Sequence, residues 1–156
     1  MSDKILKKLF QNHIEGTKAK EIVTNVEVLV CYLTSDVKMA GNFTSLKVYA
    51  NTRMLKHLYD KKPAEEFYFI LQNLDKIASH PDHLYRNLSS KRGDIGLLKK
   101  IDGEFYFCSL EKSSQKEKLK NSNHVSTCFR LRKKKKNNYL KNYKLLWSWK
   151  GDLPSS

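Results

Sequence analysis

Residues 125–132 read V-S-T-C-F-R-L-R, and their types and spacing suit phosphate chemistry. Side chains on a strand change face at every residue, so Val125, Thr127, Phe129 and Leu131 point one way. Ser126, Cys128, Arg130 and Arg132 point the other. The first set is apolar enough to rest on a core. The second offers a hydroxyl, a thiol and two guanidinium groups. Arginine stays charged, and its planar fork matches two phosphate oxygens. A strand built this way is a candidate floor for a polyanion site, with Ser126 and Arg130 on the expected wet face.

RNA can be cleaved on such a surface without metal. Its own 2′-OH attacks the adjacent phosphorus, so the protein must move protons and stabilise a doubly charged phosphorane. Histidine, lysine, arginine and hydroxyl side chains suffice. His57 is the candidate proton carrier, because imidazole titrates near neutrality. The plainer alternative is a helix-face histidine packed against a sheet. Tyr59, Tyr85, Trp147 and Trp149 could stack on unpaired bases. Trp147 and Trp149 share a face with Leu145, however, which fits a core role for at least one of them.

Metal and cofactor chemistry find little purchase. Among His13, His57, His80, His83 and His124 the one cluster is His80-Pro81-Asp82-His83, and Pro81 breaks the helix that would project two ligands together. No HExxH, EF-hand loop, DxD, P-loop or GxGxxG occurs. The expected metal and cofactor complement is therefore none.

Charge supports a polyanionic partner. Residues 1–85 hold 12 basic and 10 acidic side chains, whereas residues 86–156 hold 18 and 6, giving nearly all of the net +14. A basic half on a near-neutral half is the footprint of nucleic-acid binding. Three widely spaced cysteines, Cys31, Cys108 and Cys128, form no CxxC and no disulfide framework. The first residues lack the pattern of a secretory leader, and no apolar run is long enough to span a bilayer. A reducing cytoplasm is the expected compartment.

Periodicity then supplies the elements that must hold these groups. Residues 4–13 predict a short amphipathic helix. Residues 17–34 are ambiguous, since Ile22, Val26, Leu29 and Leu33 form a helical stripe while 26–30 are rich in β-branched residues; the stripe favours helix. Residues 35–45 read as a loop, 46–50 as a strand and 52–59 as a helix capped by Asn51 or Thr52. Pro63 opens the clearest helix, 64–79, which carries the stripe Phe67, Ile70, Leu71, Leu74, Ile77 and Ala78. Strands 94–101 and 104–110 flank the hairpin dipeptide Asp102-Gly103. Residues 113–123 read as a polar loop, 125–132 as a strand, 139–143 as a connection and 145–150 as a last strand. The expected class is α+β: N-terminal helices followed by a roughly four-stranded antiparallel sheet. Residues 1–45 would be a helical extension packed on a domain of 46–150, with 151–156 a polar tail.

The segments K-H-L-Y-D-K-K-P (56–63), H-P-D-H-L-Y (80–85), G-D-I-G-L-L-K-K-I-D-G-E-F-Y-F (93–107), V-S-T-C-F-R-L (125–131) and Y-L-K-N-Y-K-L-L-W-S-W (139–149) occur in this order. Their order and spacing resemble the phage- and mobile-element-associated branch of the Barnase–EndoU–colicin–RelE (BECR) superfamily of RNases, over about residues 46–150. That resemblance implies a barnase-like fold and a metal-independent RNA endonuclease of toxin or phage-defence type, leaving 2′,3′-cyclic phosphate ends. It matches His57 to a helix histidine and Thr127 to a strand hydroxyl, and it sets Arg130 where phosphate is held. A second helix histidine is replaced by Lys61 and Lys62. Either Lys62 supplies the charge, or the chain binds RNA or DNA without efficient cleavage. The expected catalytic set is His57, Lys62, Thr127 and Arg130. The expected nucleic-acid contacts are Ser126, Arg132, Lys133, Lys134, Lys99, Arg86 and Trp147. The implied partners are RNA, whether tRNA or mRNA, and an acidic inhibitor of antitoxin type; the sequence does not fix an oligomeric state. One tension stands: the resemblance favours Thr127, whereas alternation sets Ser126 on the Arg130 side.

Overall fold

The computed structural model describes residues 2–89, 94–112 and 122–149. The elements run α1 (Ser2–His13), β1 (Glu27–Tyr32), α2 (Ser35–Ala40), β2 (Lys47–Asn51), α3 (Thr52–Lys61), α4 (Ala64–Ser79), β3 (His83–Asn87), β4 (Ile95–Ile101), β5 (Glu104–Lys112), β6 (Asn123–Leu131), α5 (Lys133–Leu140) and β7 (Tyr143–Ser148). The class is α+β, but the expected four-stranded antiparallel sheet is corrected to a seven-stranded mixed sheet of order β1-β2-β6-β5-β4-β3-β7. All neighbours are antiparallel except β2 and β6, which run parallel.

The extra strands come from segments whose local signal was weak or divided. The helix expected within 17–34 is replaced by β1. Val26, Val28 and Val30 alternate, and β-branched side chains fit a pleated surface better than a helix. Ile22, first of the supposed helical stripe, is 95% exposed. Thr52 pins the start of β1, accepting from the Val26 amide at 2.9 Å and donating to the Thr24 carbonyl at 2.5 Å. β3 follows directly on His80-Pro81-Asp82. The expected loop 35–45 contains α2, capped by Thr34. The basic block 133–138 and the start of the expected connection 139–143 form α5. The polar loop 113–123 lies outside the described residues over 113–121, as does the tail 151–156.

Other elements follow local rules. Asn51 caps α3, its side-chain carbonyl accepting the Met54 amide at 2.8 Å. Pro63 begins α4, with Glu65 and Glu66 in the positive first turn. Asp102 and Gly103 both have positive φ, 51° and 81°, as a type I′ hairpin turn requires.

The sheet has two unequal faces. On one, Val48, Ala50, Leu97, Cys108, Leu110 and Cys128 join α1, α3 and α4 in the main core. Phe10, Tyr59, Phe67 and Tyr68 pack edge-on there, with ring centroids 5.3–5.7 Å apart. Burial of one such ring stabilises the fold by roughly 1.5–3 kcal/mol. On the other face a smaller cluster of Leu98, Phe107 and Leu131 gathers Tyr85, Phe105, Phe129, Tyr139, Leu140 and Tyr143. α5 lies over this second face.

Candidate nucleic-acid interface

β2 and β6 pair only at Val48–Asn123 and Tyr49–His124. Beyond these pairs β2 turns into α3 on the main face. β6 runs on to Leu131, and the chain then crosses to the second face as α5. Glu66 of α4 reaches the β6 backbone beyond these pairs, accepting the Arg130 amide at 3.1 Å.

The four expected catalytic side chains do not meet on one surface. Arg130 lies opposite Tyr106 and faces α4. Its Nη2 donates to Glu65 Oε1 at 2.7 Å and its Nε to Tyr106 Oη at 3.2 Å. The Glu65 and Tyr106 hydrogen bonds raise its pKa further above the ordinary arginine value. His57 is exposed on α3, in a stripe with Arg53 and Lys61 at helical spacing. It lines a cleft of about 370 Å³ with Lys20, Arg53, Lys56 and Asp60. Lys56 closes the floor of that cleft by donating to Asp60 and to the Lys18 carbonyl, both at 2.6 Å. Thr127 is on the opposite face, across from Ser109. Lys62 caps α3 and sets its ammonium 5.2 Å from the centre of the Phe129 ring. Thr127, Phe129 and Lys62 thus belong to the second-face side of β6, and His57 and Arg130 do not.

Alternation separates Thr127 from Arg130, but neither face of β6 is the expected wet one: Cys128 on the Arg130 side is buried in the main core and Leu131 on the Thr127 side in the smaller cluster. Ser109 pairs with Thr127 while Leu110 pairs with Val125, so Ser126 is the extra residue of a bulge and leaves the alternation. Its hydroxyl donates to the Ser109 carbonyl at 3.2 Å.

The expected RNA contacts divide as well. Arg132 is the exposed N-cap of α5, and Lys133 and Lys134 are exposed in its first turn. Arg86 is exposed on β3. Lys99 is tied down, donating to the His80 carbonyl at 2.7 Å and lying 3.8 Å from Asp82. Trp147 opposes Leu84 and packs, half-buried, against the main core, apart from the second-face rings.

What sequence reading missed is the aromatic floor under α5. Tyr139 stacks on Tyr143 at 5.7 Å and meets Phe107 and Phe129 edge-on at 5.2 and 5.4 Å. Tyr85, Phe129, Tyr139 and Tyr143 are all half-buried, so each keeps part of its ring open. Burial, then the hydrogen bond with Tyr143, pushes the Tyr139 phenol well above its usual range and keeps it neutral. No local spacing signals this contact, because Tyr139 belongs to α5 and Tyr143 to β7. α5 has no side-chain cap and no acidic residue in its first turn. Four consecutive lysines there oppose the helix dipole, so packing of Tyr139 and Leu140, with Lys136 4.7 Å above the Phe105 ring, must hold the helix in place.

Among the described residues no group of His, Cys, Asp and Glu converges as metal ligands would, and no helix is long and apolar enough to cross a membrane. No protein-family model, curated protein or solved structure matches this chain.

Proposed function

We propose that the chain is an RNA-directed protein that holds single-stranded RNA on the second face of its sheet and cleaves it without metal, leaving 2′,3′-cyclic phosphate ends. The observation that carries this reading is the lysine-rich helix α5, whose own half-buried Tyr139 packs with half-buried Tyr85, Phe129 and Tyr143 of the sheet. Lysines attract the phosphate backbone, and every base has a π-face that stacks on an aromatic ring. Thr127 and Lys62 border the same surface and supply a hydroxyl and an ammonium. The motif order that resembles the BECR superfamily independently favours RNA.

A second reading keeps the surface and drops the chemistry: a binding module without efficient cleavage. The separation of His57 and Arg130 from Thr127 favours it. Incubation of the protein with total RNA in EDTA tests the pair. Products ending in 2′,3′-cyclic phosphate support the nuclease. Salt-dependent binding without products supports the module, and absence of both rejects the surface as an RNA site. As an RNase, the chain would arrest growth of a host that expresses it, and an acidic inhibitor would compete for the α5 surface.

A further inference from the structure

The second face carries His124, paired with Glu27 at 3.0 Å, and His83 on β3. His83 pairs with Leu98, a member of the second-face cluster, so its ring is on the α5 side of the sheet. Its Nδ1 is 2.8 Å from Ser148 Oγ across the β3–β7 pair. Its ring centre is 6.3 Å from that of Tyr85, which in turn meets Tyr143 at 6.5 Å. No hydrogen bond among the described residues engages Nε2. A half-buried imidazole, a hydroxyl held beside it and two aromatic rings therefore occupy one edge of the proposed RNA surface.

We propose that His83 is the proton-transfer residue for RNA phosphodiester cleavage on this face, with Ser148 as its positioning residue. The proposal rests on the RNA reading above and names a catalytic group that the split of His57 from Thr127 leaves open. Nδ1–H donates to Ser148 Oγ, which leaves the Nε2 lone pair facing the substrate. Nε2 takes the proton of the 2′-OH. The 2′-oxygen forms a bond to phosphorus and the bond from phosphorus to the 5′-oxygen breaks. The 5′-oxygen leaves with a proton from water, and the imidazolium returns its proton to solvent. The products are a 2′,3′-cyclic phosphate and a 5′-OH, with no change of oxidation state.

The surroundings fit a base that is neutral at physiological pH. Burial first, and Lys136 after it, lower the His83 pKa below the ordinary 6.5, while the adjacent Asp82 pulls it up. Asp82 is itself engaged by the Lys100 amide at 2.8 Å and by Lys99 at 3.8 Å, which tempers that pull. Cleavage should therefore rise with pH through an inflection below 6.5 and then level off.

The test uses the full chain, a fluorescent single-stranded RNA in EDTA for cleavage, and its 2′-deoxy analogue for binding. His83→Ala and His83→Gln should each lose about 100-fold or more in cleavage while binding the analogue within about twofold of wild type. Ser148→Ala should lower kcat about tenfold with KM unchanged, and Ser148→Thr should restore it. If His83 variants cleave like wild type, His83 is not the base although the RNA reading stands. Wild type that binds without cleaving also overturns the assignment, and so does a loss of binding in the variants that matches their loss of cleavage. Wild type that neither binds nor cleaves removes the RNA reading itself.

Discussion

Arg130 Nη2 donates to Glu65 Oε1 at 2.7 Å, so the strand arginine is bound to a helix rather than presented to a ligand. The Glu65 side chain is 79% exposed, which limits this pair to about 0–1 kcal/mol. Contact of the guanidinium with the Tyr106 ring, 5.6 Å from its centre, adds a comparable amount. Arg130→Gln should therefore cost about 1 kcal/mol in urea unfolding and change RNA affinity less than about twofold. A loss of affinity of tenfold or more, measured by fluorescence anisotropy, would put Arg130 on the RNA path.

Gly96 lies beneath the Phe107 ring. A Cβ at Gly96 would fall 2.1 Å from Phe107 Cζ, and Phe107 is fully buried among Phe129, Tyr139 and Tyr143. The ring has no free direction in which to yield. Gly96→Ala should therefore destabilise the fold by roughly 1–3 kcal/mol through overpacking. Adding Phe107→Leu should recover part of that loss. An unchanged denaturation midpoint for Gly96→Ala would mean that the aromatic floor is loose.

These two sites also mark what the sequence could disclose. Helix α4 and the Asp102-Gly103 turn were legible because a stripe of 3.6-residue period and a pair of positive-φ residues are local requirements. The β2–β6 pairing was not, since it joins Val48 to Asn123 across nearly half of the chain and leaves no periodic trace. The faces of β6 separated correctly up to the bulge at Ser126. Which face is wet depends on which helices cover it, and α4 covers Arg130. Lys133–Lys136 read as a charge block because its helical support lies in Tyr139 and Leu140, beyond the block. The contact of His83 with Ser148 was equally hidden, because it joins β3 to a strand 65 residues further on.

The thiols should be silent in the native state. Burial, with Asp75 adding to it, pushes Cys31 up to about 12. The cross-strand contact with Cys128, together with complete burial, raises Cys108 well above its usual value. Only the thiolate reacts with iodoacetamide, so native protein at mildly alkaline pH should label slowly and urea-unfolded protein at all three cysteines. The sign for stability follows: Cys31 ionises near 9.0 when unfolded but near 12 when folded. Its contribution is intact below 9.0 and declines as pH climbs toward 12, because the unfolded chain loses the proton first. Cys31 is only partly buried, so rapid native labelling there would contradict its raised pKa rather than its placement.

Lys133, Lys134 and Lys135 are exposed on α5, and their charges should act in opposite directions on binding and on stability. Replacing the three with glutamine should flatten the plot of log affinity against log salt by about 2, given about 0.7 per phosphate contact on single-stranded RNA. The same change removes positive charge from the positive end of a helix with no acidic first-turn residue. It should raise stability, or leave it unchanged, by about 0.3–1 kcal/mol per charge at low salt. Lys99→Gln is the control, because Lys99 is engaged by the His80 carbonyl and Asp82 and should leave the salt slope as it was. If the triple variant keeps the wild-type slope while Lys99→Gln flattens it, the RNA track runs past β4 rather than along α5. Weaker binding together with a lower denaturation midpoint would mean that the lysines support the helix, and the loss of affinity would then reflect its unfolding.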